Sequence, residues 1–197
     1  PNNDFYCQIA RAYKETPRII EENKKNYHIL TMARLIEGKG VDLVISALAH
    51  LPKGYKLTIA GDGPIKKELE QLVETLGLSE RVTFTGWING KEKDVLLRDS
   101  DLFCLPSSYD SFGMVYIEAM ACGIPVVALD YGAIPDVVIH EVSGILCKDD
   151  TPKLLAKGIA RAIENKDELV QGALDSIDKN YTPKSVAITV KKAMLEL

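Results

Sequence analysis

Short apolar runs alternate with amphipathic stretches along most of this chain. Six runs have the length and apolar character of buried strands: 27–33, 55–60, 81–85, 101–105, 125–129 and 144–147. After the first, Val41, Val44, Ile45 and Leu48 fall at i, i+3, i+4 and i+7, one face of a helix. Ile65, Leu69, Leu72, Val73 and Leu76 predict a second helix, which Gly77 stops. A short helix is expected over 91–100, and another from the polar stretch Ser107 to Gly113 up to about Gly123. Thr151-Pro152 and Thr182-Pro183 each place an N-cap residue before proline at the first helical position. The last ~45 residues therefore read as helices alone.

Repeated strand–helix units with apolar strands predict an α/β fold: a doubly wound parallel sheet of about six strands, helices on both faces, and further helices at the C-terminus. Ligands of such sheets bind beyond the carboxyl ends of the strands. The loops of interest are thus 34–40, 61–64, 86–90, 106–113 and 130–133.

The chain has 197 residues, 46% of them hydrophobic. A chain of this size buries roughly 70% of its unfolded surface, so it needs no disulfide or metal to fold. Residues 27–197 are read as that domain, and 1–26, with Pro17 and mixed charge, as a linker or lead-in segment. Twenty-four Lys and Arg against 28 Asp and Glu give a net charge of −4. That excludes a nucleic-acid binder working through a broad basic surface, but leaves room for a local basic pocket. Cys7, Cys104, Cys122 and Cys147 are widely spaced and mostly in apolar runs, as expected of buried free thiols in a reducing compartment. His28, His50 and His140 are isolated, so neither a zinc site nor a Cys–His nucleophile is suggested. No apolar run approaches the ~18 residues of a membrane span. The chain opens at Pro1-Asn2-Asn3 with no initiator Met, which points to a domain whose missing part lies upstream.

Three of the strand-end loops carry candidate chemistry. Arg34 and Lys39 stand five positions apart with Gly38 and Gly40 between and after them. One is a fork and the other a point charge, a pairing that suits phosphate; a solvated turn is the alternative. Gly61-Asp62-Gly63-Pro64 lacks the third glycine of a dinucleotide fingerprint, since that place holds Lys66. A tight turn with proline starting a helix explains it equally well. In 106–125, Ser111-Phe112-Gly113-Met114 forms a helix entrance whose free N–H groups make an anion site, and Gly113 adds no side chain to block it. Asp110 lies just before this entrance and Glu118 within the helix, flanked by Ile117, Ala119, Met120 and Ala121. A carboxylate on so apolar a helix calls for a partner. The alternatives are a Glu on a solvent stripe and a capping or turn Asp.

Taken in order, these residues match a pattern. Pro106-Ser107-Ser108, Asp110, Phe112-Gly113, Glu118-Ala119-Met120-Ala121-Cys122-Gly123 and Pro125-Val126-Val127-Ala128 resemble the nucleotide-sugar-binding half of retaining GT-B glycosyltransferases of the large fourth family, the glycosyl transferases group 1. Arg34-Leu35 with Lys39-Gly40, Ala60 to Pro64, Val82 with Phe84 and Gly86, Gly132 with Pro135-Asp136, and Gly144-Ile145-Leu146 match as well. The matches run from about residue 30 to 150 in the family's order.

The resemblance implies one Rossmann-like half of a GT-B fold, the C-terminal donor domain, with the acceptor domain absent from this chain. It implies transfer of a hexose from a UDP-, GDP- or ADP-sugar with retention of configuration, no metal or other cofactor, and a cytoplasmic location. An acceptor sugar or lipid-linked sugar, and any attachment at the inner membrane face, would belong to the missing half. By the same resemblance Arg34 and Lys39 hold the diphosphate and stabilise the leaving group, and Asp110 contacts the sugar. Backbone N–H groups of Phe112 to Val115, with Ser111 beside them, cradle sugar and phosphate. Gly63 belongs to the donor-binding set, Glu118 takes the ribose hydroxyls, and Trp87-Ile88 hold the base through backbone contacts. The family's paired glutamates appear here as Asp110 and Glu118, the former one methylene shorter, and Asp136 stands where Glu is common. A non-catalytic module binding a nucleotide or phosphosugar is the alternative function, which the shorter Asp110 favours.

Overall fold

The computed structural model describes residues 26–88, 90–109 and 113–181. Six parallel strands form one sheet in the order β3-β2-β1-β4-β5-β6. They are β1 (Tyr27–Met32), β2 (Tyr55–Ala60), β3 (Val82–Gly86), β4 (Leu102–Leu105), β5 (Val126–Leu129) and β6 (Gly144–Cys147). The helices are α1 (Val41–Leu48), α2 (Lys66–Thr75), α3 (Gly90–Asp99), α4 (Met114–Ala121), α5 (Ile134–Val137), α6 (Pro152–Glu164) and α7 (Lys166–Asn180). This is the doubly wound Rossmann-like architecture expected from the alternation.

Side chains of a strand alternate between faces, and in β4, β5 and β6 both faces are buried, whereas β3 at the edge leaves Thr83 and Thr85 exposed. Ile29, Ile59, Cys104, Val127 and Ile145 face a core shared with α1, α2 and α6. Leu30, Phe103, Val126, Ala128 and Leu146 face a second core filled by α4 and α7. That is why β4, β5 and β6 read as unbroken apolar runs.

Several boundaries differ from expectation by a residue or two. Arg81 precedes β3, and its guanidinium donates to the carbonyls of Tyr55 (2.9 Å), Pro52 (3.0 Å) and Leu51 (3.3 Å) at the start of β2. Gly86 joins β3 instead of closing it, pairing with Ala60 after a register shift. Asp101 lies before β4, its buried carboxylate accepting from the His28 N–H at 2.9 Å and pairing with Lys166 at 3.5 Å. Pro64 does not start a helix: α2 begins at Lys66, with Ile65 as N-cap. The C-terminal helical stretch divides at Asn165, which caps α6 and α7 at once. α5 was not expected; four residues give no periodicity to read. Thr151 and Pro152 stand at the N-cap and first helical position as expected, whereas Thr182-Pro183 and most of 1–26 lie outside the described residues.

Cys104, Cys122 and Cys147 are free and buried, and Cys7 lies outside the described residues. Burial pushes the Cys104 thiol well above its ordinary value, helped by Cys147, and pushes Cys147 up to about 11. The thiolate is the reactive form. Cys104 and Cys147 will therefore resist a disulfide reagent at pH 8 in the native chain and react at once in guanidinium, as a thiol count with and without denaturant will show. The same shift sets the sign of a pH effect. The unfolded Cys147 thiol ionises near 9.0 and the folded one near 11, so its contribution to stability is complete below pH 9 and is lost as pH rises toward 11.

Candidate functional site

The strand order reverses direction at β1 and β4, which are neighbours although three connections separate them in sequence. Two loops leave this point at the carboxyl end of the sheet, one from β1 and one from β4, where ligands of such sheets bind.

Hydrogen bonds fix the two loops to one another. The Gly38 carbonyl accepts from the Ser108 N–H (2.8 Å), the Ser108 hydroxyl (3.2 Å) and the Ser107 hydroxyl (3.3 Å). Lys39 Nζ donates to the Tyr109 carbonyl at 2.6 Å and lies 6.0 Å from the centre of the Tyr109 ring. The loop after β2 is laced to the loop after β1 in the same way. Leu35 N–H donates to the Asp62 carbonyl at 2.9 Å, and Ile65 N–H to the Leu35 carbonyl at 3.3 Å. A Cβ on Gly61 would collide with the Ala33 carbonyl, and one on Gly63 with the Leu35 carbonyl. Close chain packing thus requires both glycines, and the turn props the loop that carries Arg34.

A cleft of about 330 Å³ opens at these strand ends. Arg34, Trp87, Ile88, Val115 and Glu118 meet on its wall, five of the residues expected there, together with Met32, Ala33, Ala60, Gly61, Gly90 and Lys93. Arg34 is exposed and has no hydrogen-bond or ion-pair partner among the described residues. Trp87 is 69% exposed. Lys39, Gly63, Gly113 and Met114 are not on the lining; Lys39 lies against the 107–109 loop, and Met114 packs half-buried on the second core. Asp110, Ser111 and Phe112 lie outside the described residues.

The helix entrance and the carboxylate belong to α4. Buried Gly113 is its N-cap, and the first intrahelical bond is Tyr116 N–H to the Gly113 carbonyl at 3.0 Å. The N–H groups of Gly113, Met114 and Val115 consequently have no partner among the described residues, which is the arrangement that attracts anions. Buried Tyr116 anchors this turn by donating its hydroxyl to the Leu105 carbonyl at 2.9 Å. Glu118, one turn on, has the partner its apolar setting demanded: Lys93 Nζ lies 2.9 Å from Oε1, with the two side chains 29% and 17% exposed. Lys93 was missed because 25 positions separate the pair and neither spacing nor composition joins them; the need of Glu118 for a cation was the one available clue. No cluster of His, Cys, Asp or Glu able to hold a metal occurs among the described residues, and none of their helices is long and apolar enough to cross a membrane.

Comparison with known proteins decides the family. Residues 13–174 match the family described as "Glycosyl transferases group 1". The chain belongs to this family. It is 32% identical over 177 residues, 86% of its length, to an uncharacterized glycosyltransferase of Methanocaldococcus jannaschii. It is 27% identical over 174 residues, 80% of its length, to the GDP-mannose-dependent alpha-(1-6)-phosphatidylinositol monomannoside mannosyltransferase of Mycobacterium tuberculosis. Each alignment covers 45% of the relative, so this group 1 chain spans about half the length of the curated relatives it matches. Among solved structures, Anabaena HepE in complex with UDP superposes with a TM-score of 0.79 and 26% identity, over 100% of this chain and 56% of that one.

Proposed function

We propose that this chain is the donor-binding part of a group 1 glycosyltransferase that moves a hexose from a nucleoside diphosphate sugar to an acceptor, with retention of configuration and without a metal. The observation that carries the reading is the convergence of an exposed guanidinium (Arg34), the start of α4 at Val115 and a carboxylate (Glu118) on the wall of one strand-end cleft, with the N–H groups of Gly113 and Met114 just before Val115 at the same helix entrance. Cations and N–H donors suit a diphosphate, and a carboxylate suits the hydroxyls of a ribose. The UDP complex of Anabaena HepE and the GDP-mannose named for the mycobacterial relative support a nucleotide sugar while differing in base. The proposal therefore commits to a nucleoside diphosphate and not to one base.

In this mechanism the bond between the anomeric carbon and the β-phosphate oxygen breaks, and its electron pair leaves with the nucleoside diphosphate. Arg34, with Lys39 swung from the Tyr109 carbonyl, meets the charge growing on that phosphate. The N–H groups at the start of α4 do the same, and fixed dipoles of this kind act on the transition state without reorganising. The acceptor oxygen bonds the anomeric carbon on the face the leaving group departs, through an oxocarbenium-like state, and its proton passes to the departing phosphate. Asp110 is assigned to the sugar hydroxyls. The acceptor belongs to a further domain.

Calorimetric titration of the chain with UDP, GDP and ADP, with and without EDTA, tests this together with a transfer assay. We expect binding of at least one nucleotide, unchanged by EDTA, and no transfer by this chain alone. A tenfold loss of affinity on chelation would assign the diphosphate to a metal.

A further inference from the structure

We propose that Lys93 is the positioning residue for ribose recognition: its ammonium holds the Glu118 carboxylate in place and ties the loop beside the base to the helix beneath the ribose. The proposal rests on the donor-site reading above and assigns a role to a residue which that reading leaves unused.

Lys93 and Glu118 come from different elements and meet on the wall of the same cleft, 2.9 Å apart and mostly shielded from solvent. Lys93 is in the first turns of α3, which follows directly on Trp87 and Ile88, the residues assigned to the base. Leu97 is the one fully buried side chain of α3. Leu96 packs partly buried on the same core, and the Lys93–Glu118 contact joins α3 to α4 at the cleft itself. Glutamate has three rotatable bonds, and fixing it at the moment a ligand binds costs conformational entropy. A carboxylate already held by an ammonium avoids that cost. Its two oxygens offer about four acceptor sites, so a lysine on Oε1 is compatible with further hydrogen bonds from a vicinal diol. A hydrophobic residue at position 93 removes this hold on the carboxylate and this tie between α3 and α4.

The test compares a ribonucleotide with its 2′,3′-dideoxy counterpart on the same protein. The probe is whichever of UDP, GDP and ADP the chain binds, and the proteins are wild type, Lys93→Met and Lys93→Arg, titrated by calorimetry. We expect wild type to prefer the ribonucleotide by tenfold or more, about the worth of a hydrogen bond to a charged group. Lys93→Met should reduce that preference to about twofold by weakening the ribonucleotide alone, and Lys93→Arg should keep most of it. Because the preference is a ratio measured on one sample, partial unfolding of a variant does not alter it. An unchanged ratio in Lys93→Met, equal weakening of both ligands, or tighter ribonucleotide binding would overturn the role of Lys93 while leaving the donor site standing. A wild-type chain that binds none of the three nucleotides would overturn the donor reading, and this inference with it.

Discussion

Arg34→Ala will lower the affinity of the chain for a nucleoside diphosphate by about 30- to 150-fold, the equivalent of roughly 2–3 kcal/mol. The guanidinium stands on the cleft wall, exposed and without a partner among the described residues, so its donors are available to an incoming phosphate. Bidentate arginine–phosphate contacts are among the stronger hydrogen bonds in proteins, and both of their bonds go at once when the side chain is cut back. Fold stability should change by less than about 0.5 kcal/mol, because an exposed side chain with no packing role is being removed. Titration calorimetry beside a urea melt separates the two effects. Equal affinity in a folded variant would move the phosphate site away from Arg34.

Gly61→Ala will act in the opposite sense, on the fold more than on the ligand. Gly61 has φ 148°, which L-residues rarely adopt, and a Cβ there would run into the Ala33 carbonyl. Both partners are backbone, so no rotamer change relieves the clash. Strain and overpacking of about 1–3 kcal/mol each give a loss of roughly 2–6 kcal/mol, a large part of the ~5–15 kcal/mol that stabilises an ordinary domain. The β2 end and the Arg34 loop must separate to admit the methyl group, so nucleotide binding should weaken together with stability. A melt showing less than about 1 kcal/mol of loss would mean that the two strand ends are not packed as described.

How far the sequence could be read follows from what each feature depends on. All six strands were legible, because a parallel sheet covered on both faces leaves runs such as 102–105, 126–129 and 144–147 buried throughout. Their ends were less so. Arg81 and Asp101 look like strand residues, yet each is committed to a hydrogen bond with chain distant in sequence. The wall of the cleft was legible where a strand end, a helix start or the family pattern marks it, as at Arg34, Val115 and Glu118. Lys93 was not, for it sits in an ordinary charged helix and gains its meaning only when α3 is laid against α4. Gly61 and Gly63 showed a turn but not its cause, since the carbonyls that exclude a side chain belong to Ala33 and Leu35 on another strand's loop. Asp110, Ser111 and Phe112 keep the roles that the family resemblance gives them, outside the described residues.

Trp87 makes the central claim directly measurable. It is the chain's only tryptophan, it is largely exposed, and it lines the cleft with Arg34 and Glu118. Titrating the chain with UDP, GDP and ADP while following tryptophan emission therefore reports on filling of this cleft. A donor site predicts a saturable change in Trp87 emission with at least one nucleotide, half-complete below about 1 mM, and lost at that concentration in Arg34→Ala. Emission that stays flat for all three nucleotides, or a change that persists unaltered in Arg34→Ala, would contradict it.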